Sequence, residues 1–179
     1  VLKLKEVDAD VIIPSHYYGE GVLFLRTLQR QKLQPKGIYS VLGGASSQYR
    51  FLSEFPNAAQ YVMDCNHWFD PNNSASMAAR KKTEAAGKHF NYEVFLAYTA
   101  MKFTADAIER AGSSDREKIT EAMASSNWSG HFMPYGQTKM VNGQNMGAQP
   151  LATQVLGKEI EVIAPSKYAT AKALFPRPA

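Results

Sequence analysis

Three short apolar runs decide the fold of this chain: DVIIP at Asp10–Pro14, IYSVL at Ile38–Leu42 and AQYVMD at Ala59–Asp64. Two helical patterns separate them, one over about 20–33 that ends before a proline and one over about 48–55. The first run is continuously apolar, which is typical of a parallel strand covered on both faces. The order strand, helix, strand, helix, strand predicts a βαβαβ unit with a parallel sheet.

The pattern becomes helical over residues 74–126. The spacing predicts helices over about 76–86 and 92–111, with Gly112 as a left-handed cap for the second. Ser114 and Glu117 have the spacing of a capping box, which predicts a third helix ending near Ser125. The second helix has a predicted inner apolar stripe of Val94, Ala97, Tyr98, Met101, Ala105 and Ile108.

After Trp128 the pattern favours short strands. The candidates are His131–Met133, Thr138–Val141, Leu151–Leu156 and Glu159–Ala164, with Asn142-Gly143 and Gly157-Lys158 as turns. A parallel unit, then helices, then antiparallel strands suggests a chain that passes between two lobes. The predicted crossings lie at residues 66–71 and 147–150, which are rich in Asn, Gly and Pro.

Composition excludes several classes of protein. The 179 residues carry 20 basic and 16 acidic side chains, a net charge of +4 with no basic arm or recognition module, so nucleic-acid binding is not expected. The chain contains no run of about 18 apolar residues, so the sequence predicts no membrane span. The first residues do not form a signal peptide, which leaves a processed signal or a longer precursor as alternatives.

The sequence offers no catalytic constellation. The four histidines lack metal-ligand spacing, and no nucleophile elbow, Walker loop or dinucleotide fingerprint is present. Cys65 and His67 lie two residues apart and could share one face of a strand, but a buried structural cysteine is the preferred interpretation. We therefore expect neither an enzyme nor a metal or cofactor.

Loops after the three predicted strands indicate ligand binding. In open α/β sheets, ligands lie outside the carboxyl ends of the strands. Aromatic side chains could pack against a ligand there, glycines could let it approach the backbone, and amides at a helix start could hold a carboxylate. The alternative is a purely structural role, in which the aromatic residues only cap the core and the glycines only form a turn. The candidate ligand-binding residues are His16, Tyr17, Tyr18, Leu42, Gly43, Gly44 and Trp68.

Several stretches together resemble the carboxy-terminal half of the type I periplasmic solute-binding proteins of ABC importers, the Leu/Ile/Val-binding protein family. The order and spacing of the motifs carry this resemblance over nearly the whole chain. The similar stretches are Asp8–Glu20 (D-V-I … Y-Y-x-E), Arg26–Lys36 (R-Q-x-x-x-x-G-L-K-P-K), Ala97–Ala100 with Ala107–Gly112 (A-Y-x-A … A-I-E-R-A-G), Asn142–Asn145 (D-x-N-G-x) and Gln154-Val155 (Q-V).

The resemblance implies an α/β, flavodoxin-like fold with two parallel-sheet lobes and a ligand clamped between them, incomplete in this chain. Residues 1–65 would form the βαβαβ portion of the second lobe. Residues 66–149 would give helices and a hairpin to the first lobe, and 150–179 would return to the second. The missing amino-terminal half would be a partner, and its sheet would cover the apolar stripe of residues 74–126. We therefore expect that the 179 residues do not fold autonomously.

The resemblance also implies site roles. Tyr17 matches a tyrosine that contacts the ligand in amino-acid-binding members. Leu42 stands where those members place a glutamate for the ligand's ammonium group, and residues 36–52 contain no acidic side chain. Because a buried ammonium without a counter-charge is costly, this departure favours an aromatic or branched apolar carboxylate over an α-amino acid.

These observations predict a non-catalytic, periplasmic or lipid-anchored solute-binding protein that docks on ABC permease subunits. Its ligand would be a small carboxylate: an aromatic or branched apolar acid, or a branched-chain amino acid. A ligand-sensing domain of a receptor or regulator on the same fold is the first alternative, and a flavodoxin-like enzyme is the second. Fold alone does not separate these classes, because function resides in the site.

Overall fold

A computed structural model describes residues 1–42 and 44–178. The chain divides into two compact units. The sheet unit comprises Val1–His67 and Leu151–Ala179, and the helical unit comprises Trp68–Pro150.

Strands and helices alternate up to residue 66; three helices then follow in succession, and four strands come last. The strands are β1 (Val11–Ile12), β2 (Gly37–Val41), β3 (Met63–Asn66), β4 (Met140–Val141), β5 (Gln144–Asn145), β6 (Leu151–Leu156) and β7 (Glu159–Ala164). The helices are α1 (Leu2–Val7), α2 (Tyr18–Arg30), α3 (Tyr49–Glu54), α4 (Pro56–Ala59), α5 (Ser74–Ala85), α6 (Tyr92–Ala111) and α7 (Arg116–Ala124). A 3₁₀ turn over Gly44–Ser47 precedes α3.

The sheet unit is built on five strands in the order β1-β2-β3-β6-β7. The first three strands are parallel, which confirms the predicted βαβαβ unit. The strands β6 and β7 then add antiparallel, with β6 pairing against β3 and β7 against β6. Helix α2 packs against the 3₁₀ turn and α4 and buries Leu25 and Leu28 almost fully, as its 3.6-residue apolar spacing predicts.

Two strand predictions need correction. The first run is not covered on both faces: β1 is a two-residue edge strand, and Val11 and Ile13 are 41% and 68% exposed. The third run begins as helix, because Pro56 occupies the first turn of α4, where its fixed φ is favourable. The chain then turns at Tyr61, whose φ is 64°, and β3 starts only at Met63.

Two local predictions in the helical unit are also wrong. Asp115, not Ser114, caps α7, and its carboxylate accepts hydrogen bonds from the backbone amides of Glu117 and Lys118. His131–Met133 forms bends rather than a strand. The predicted end of α6 is confirmed, because Gly112 adopts the left-handed conformation with a φ of 57°.

The helical unit has an aromatic core. Trp68 and Phe69 pack with Phe95, at ring-centroid distances of 5.6 and 5.5 Å, and Phe90 and Phe132 extend the cluster. Helix α6 enters this core through Phe95, and it also buries Ala107 about three turns later; both residues are fully buried. The predicted apolar stripe of α6 is exposed along its whole length in this chain, and Met101 is 73% exposed. Within the described residues, no helix is both long and apolar enough to cross a bilayer.

Candidate functional site

Two loops of the sheet unit lie at the carboxyl ends of neighbouring parallel strands. One joins β1 to α2 and carries His16 and Tyr17; the other follows β2 and carries Leu42. Tyr17 is the N-cap residue of α2 in an extended conformation, and its side chain is 87% exposed. Leu42 has a φ of 58° and a side chain that is 65% exposed. Both side chains are therefore open to a ligand.

His16 joins the two loops. A β-carbon built on Gly21 would lie 2.6 Å from Cε1 and 2.7 Å from Nδ1 of the ring. One built on Gly44 would lie 3.1 Å from Nδ1 and 2.8 Å from the His16 carbonyl oxygen. The imidazole thus occupies the space that two missing side chains leave, between the first turn of α2 and the 3₁₀ turn. Both ring nitrogens are shielded from solvent and have no hydrogen-bond partner among the described residues.

Gly44 satisfies a second constraint. Its φ is 68°, a left-handed conformation that costs an L-residue about 1–2 kcal/mol. A β-carbon there would also press on backbone, which cannot move aside as a side chain can. The adjacent Gly43, which the sequence also predicts to bind the ligand, lies outside the described residues.

Tyr18 points away from the exposed loop surface. Its hydroxyl is buried without a hydrogen-bond partner in the described chain, and the Arg50 guanidinium lies 5.5 Å from its ring centroid. Burial raises the pKa of the Tyr18 phenol, and Glu54 adds to that increase. This arrangement packs the ring between the start of α2 and α3, with its hydroxyl shielded and the residue only partly exposed.

Trp68 lies in the helical unit and is 1% exposed. Its ring is enclosed by Phe69 and Phe95 in the aromatic core. No exposed face of this ring is available to a ligand, and its evident role is packing.

Sequence reasoning missed a buried polar anchor beneath the second loop. The Ser47 hydroxyl donates to the Asp64 carboxylate, and both residues are fully buried. The register places Asp64 between Ser40 of β2 and Thr153 of β6, so polar side chains from three strands share one face of the sheet. Asp64 thus ties the 3₁₀ turn to β3. The sequence signal was a lone acidic residue directly after the apolar pair Val62 and Met63, and a carboxylate buried there requires a hydrogen-bond partner.

Cys65 does not make the Cys–His arrangement that its spacing permits. Its side chain instead forms a hydrogen bond with the Tyr39 phenol. Burial raises the pKa of this phenol, and Cys65 and Asp64 raise it further. The His67 amide instead donates to the side chain of Asn66, 2.7 Å away. Among residues 1–42 and 44–178, no group of three His, Cys, Asp or Glu side chains could hold a metal ion.

Solved structures share this fold at low sequence identity. A leucine-binding protein from Thermotoga maritima matches with a TM-score of 0.76 and 22% identity, covering 91% of this chain and 46% of its own. A Thermus thermophilus branched-chain amino-acid ABC transporter protein with bound valine matches at 0.75 and 12%, covering 91% and 47%. A solute-binding protein from R. palustris in complex with benzoate matches at 0.75 and 15%, covering 97% and 46%.

The chain therefore spans about half the length of these relatives. No curated protein sequence matches it. A family model described as periplasmic binding protein matches residues 1–163, most of the chain. The five-strand sheet, the paired loops at its carboxyl edge and this match agree, and the chain belongs to the periplasmic binding protein family.

Proposed function

We propose that this chain is the carboxy-terminal half of an extracytoplasmic solute-binding component of an ABC importer, without enzymatic activity. The single observation that carries the proposal is the pair of loops joined by His16, which expose Tyr17 and Leu42 at the carboxyl edge of a parallel sheet. That edge is where open α/β sheets bind ligands.

The nature of the exposed groups supports a carboxylate ligand with an apolar body. Tyr17 offers an aromatic face and a hydroxyl, and Leu42 offers an aliphatic surface. The neighbouring acid Asp64 is fully buried and bonded to Ser47, so it presents no counter-charge to an ammonium group. Structural relatives bind leucine, valine or benzoate, which makes both amino acids and aromatic acids reasonable candidates.

The exposed stripe of α6 supports a further part of the proposal. Six apolar or small residues along this helix are exposed, and relatives have about twice the length of this chain. We infer that an amino-terminal half of the same protein supplies a sheet that covers the stripe. The assembled protein would deliver its ligand to ABC permease subunits.

A thermal-shift panel on the complete gene product tests the ligand class. It compares leucine, valine and phenylalanine with their 2-oxo analogues and with benzoate. A ligand at about 100 times its Kd adds about 2.7 kcal/mol of stability. We expect shifts from the acids that lack an ammonium group. Strong shifts from the amino acids with none from the acids would overturn the role given to Leu42.

A further inference from the structure

A pocket of about 250 Å³ lies in the sheet unit, away from the loops that carry Tyr17 and Leu42. Its wall includes Ile38 at the start of β2 and Tyr61 just before β3, so it opens at the amino-terminal ends of these strands. Helices α2 and α4 and the tail after β7 complete it. Among the described residues that line this pocket, none is acidic.

Arg177 brings an unpaired positive charge to the pocket wall. Its backbone amide donates to the Lys36 carbonyl oxygen over 2.8 Å, which fixes the tail beside the start of β2. The guanidinium is about half buried, and this burial lowers its pKa. Its Nε atom is shielded from solvent and has no hydrogen-bond partner within the described chain. Burying a charge without a partner costs free energy.

A second cation and several amides share the same wall. Lys32 follows α2 and lines the pocket, and its backbone is held by an amide hydrogen bond of 3.0 Å to the Gln29 carbonyl oxygen. Gln29 and Asn57 also line the pocket, and their side chains carry amide groups that can donate hydrogen bonds. Two positive groups with amides and no acid form a donor set that suits an oxyanion.

We propose that this pocket binds a small oxyanion, a carboxylate or a phosphate, with Arg177 as the principal donor and Lys32 as the second charge. The volume sets an upper limit on size. A water needs about 10–15 Å³ of such volume, so the pocket has room for a phosphate or a short carboxylate. The site is separate from the ligand loops and does not depend on the proposed function.

Titration of the complete gene product with inorganic phosphate, and separately with acetate, tests the site. Ionic strength is held constant with chloride, because phosphate also stabilises proteins through exclusion from their surface. The direct readout is the NMR signal of the Arg177 Nε–Hε group, and melting temperature is the second readout. We expect a saturable shift of that signal. Saturation by phosphate alone or by acetate alone supports the site and identifies the preferred oxyanion.

Variants separate this site from general salt effects. Arg177→Gln should weaken anion binding by about tenfold or more, because hydrogen bonds to charged groups are among the strong ones. Arg177→Lys keeps the charge and should retain part of the affinity, which covers the case that the glutamine variant does not fold. Lys172→Gln removes an exposed positive charge outside the pocket and should leave binding unchanged.

Two results would overturn the proposal. One is an Arg177 signal that does not move with either anion. The other is an equal anion-dependent rise in melting temperature for the unmodified protein, Arg177→Gln, Arg177→Lys and Lys172→Gln.

Discussion

The two units differ in whether this chain covers the apolar face of their main helix. In the sheet unit, the apolar face of α2 is covered within the chain, because Leu25 and Leu28 are almost fully buried where α2 packs against the 3₁₀ turn and α4. In the helical unit, α6 buries Phe95 and Ala107 but leaves the stripe through Met101 open to solvent. An amphipathic pattern states that a helix face is suited to burial. It does not state whether the covering element belongs to the same segment of chain.

The largest expected effect comes from a substitution in the aromatic core of the helical unit. Trp68→Ala should destabilise that unit by about 3–5 kcal/mol, because it removes a fully buried ring from the aromatic cluster. Chemical denaturation of the complete gene product measures the change. The matched control is Tyr17→Ala, which truncates an exposed aromatic side chain and should change stability by less than about 0.5 kcal/mol. Equal effects from both variants would contradict the separate core.

The sheet unit offers a similar pair of variants in one helix. Gly21→Ala should cost about 1–3 kcal/mol, because the new methyl group would overlap the His16 ring, which Gly44 confines on its other side. Gly19→Ala adds the same methyl group where no atom lies within 4 Å and should be neutral or slightly stabilising. Denaturation curves compare the two. An unchanged stability for Gly21→Ala would show that His16 is free to leave its position.

Ligand binding sharpens the role of the exposed loop. Tyr17→Ala should weaken binding of the ligand found in the panel by about 1–3 kcal/mol, through lost aromatic burial and one hydrogen bond. Isothermal titration calorimetry gives the affinity, and stability without ligand serves as the control. An unchanged affinity would remove Tyr17 from the site.

The smallest expected effect is a pH dependence in the helical unit. The His131 ring donates through Nε2 to the Gly136 carbonyl oxygen at 2.8 Å and accepts the Met133 amide at Nδ1. Burial lowers the pKa of this imidazole. The unfolded chain therefore holds the proton more tightly, and stability should fall as pH drops below the unfolded value of about 6.5, until the lower folded-state pKa is passed.

Denaturation at pH 7 and pH 5 checks this sign. His131→Gln should flatten the dependence, even if the variant is less stable at both pH values. A stability that rises on acidification in the unmodified protein, but not in His131→Gln, would contradict the assignment of a buried neutral ring.

Local chemistry explains why parts of the fold were predictable. The glycine after α6, the Asn142-Gly143 turn and the alternation of strand and helix up to residue 66 each depend on neighbouring residues only. Predictions failed where the local sequence permits two outcomes, or where burial depends on distant groups. Pro56 could end one helix or begin another, and the first strand reads as buried although it lies at the edge of the sheet.

The candidate site also combines features that local sequence determines with features that depend on distant residues. Sequence position correctly placed Tyr17 and Leu42 on loops after parallel strands, because strand order fixes the edge at which these loops lie. It could not predict that His16 would sit between Gly21 and Gly44, because that contact joins separate elements. Nor could it distinguish an exposed aromatic residue such as Tyr17 from a buried one such as Trp68, since both follow strands.

We propose that the α6 stripe requires a covering element from outside residues 1–179. Size-exclusion chromatography with light scattering on the isolated 179-residue chain tests it most directly. We predict oligomers or aggregates, which Met101→Ser combined with Ile108→Ser should reduce by removing exposed apolar surface. A monomer of 19.8 kDa that melts in one cooperative transition would contradict the claim.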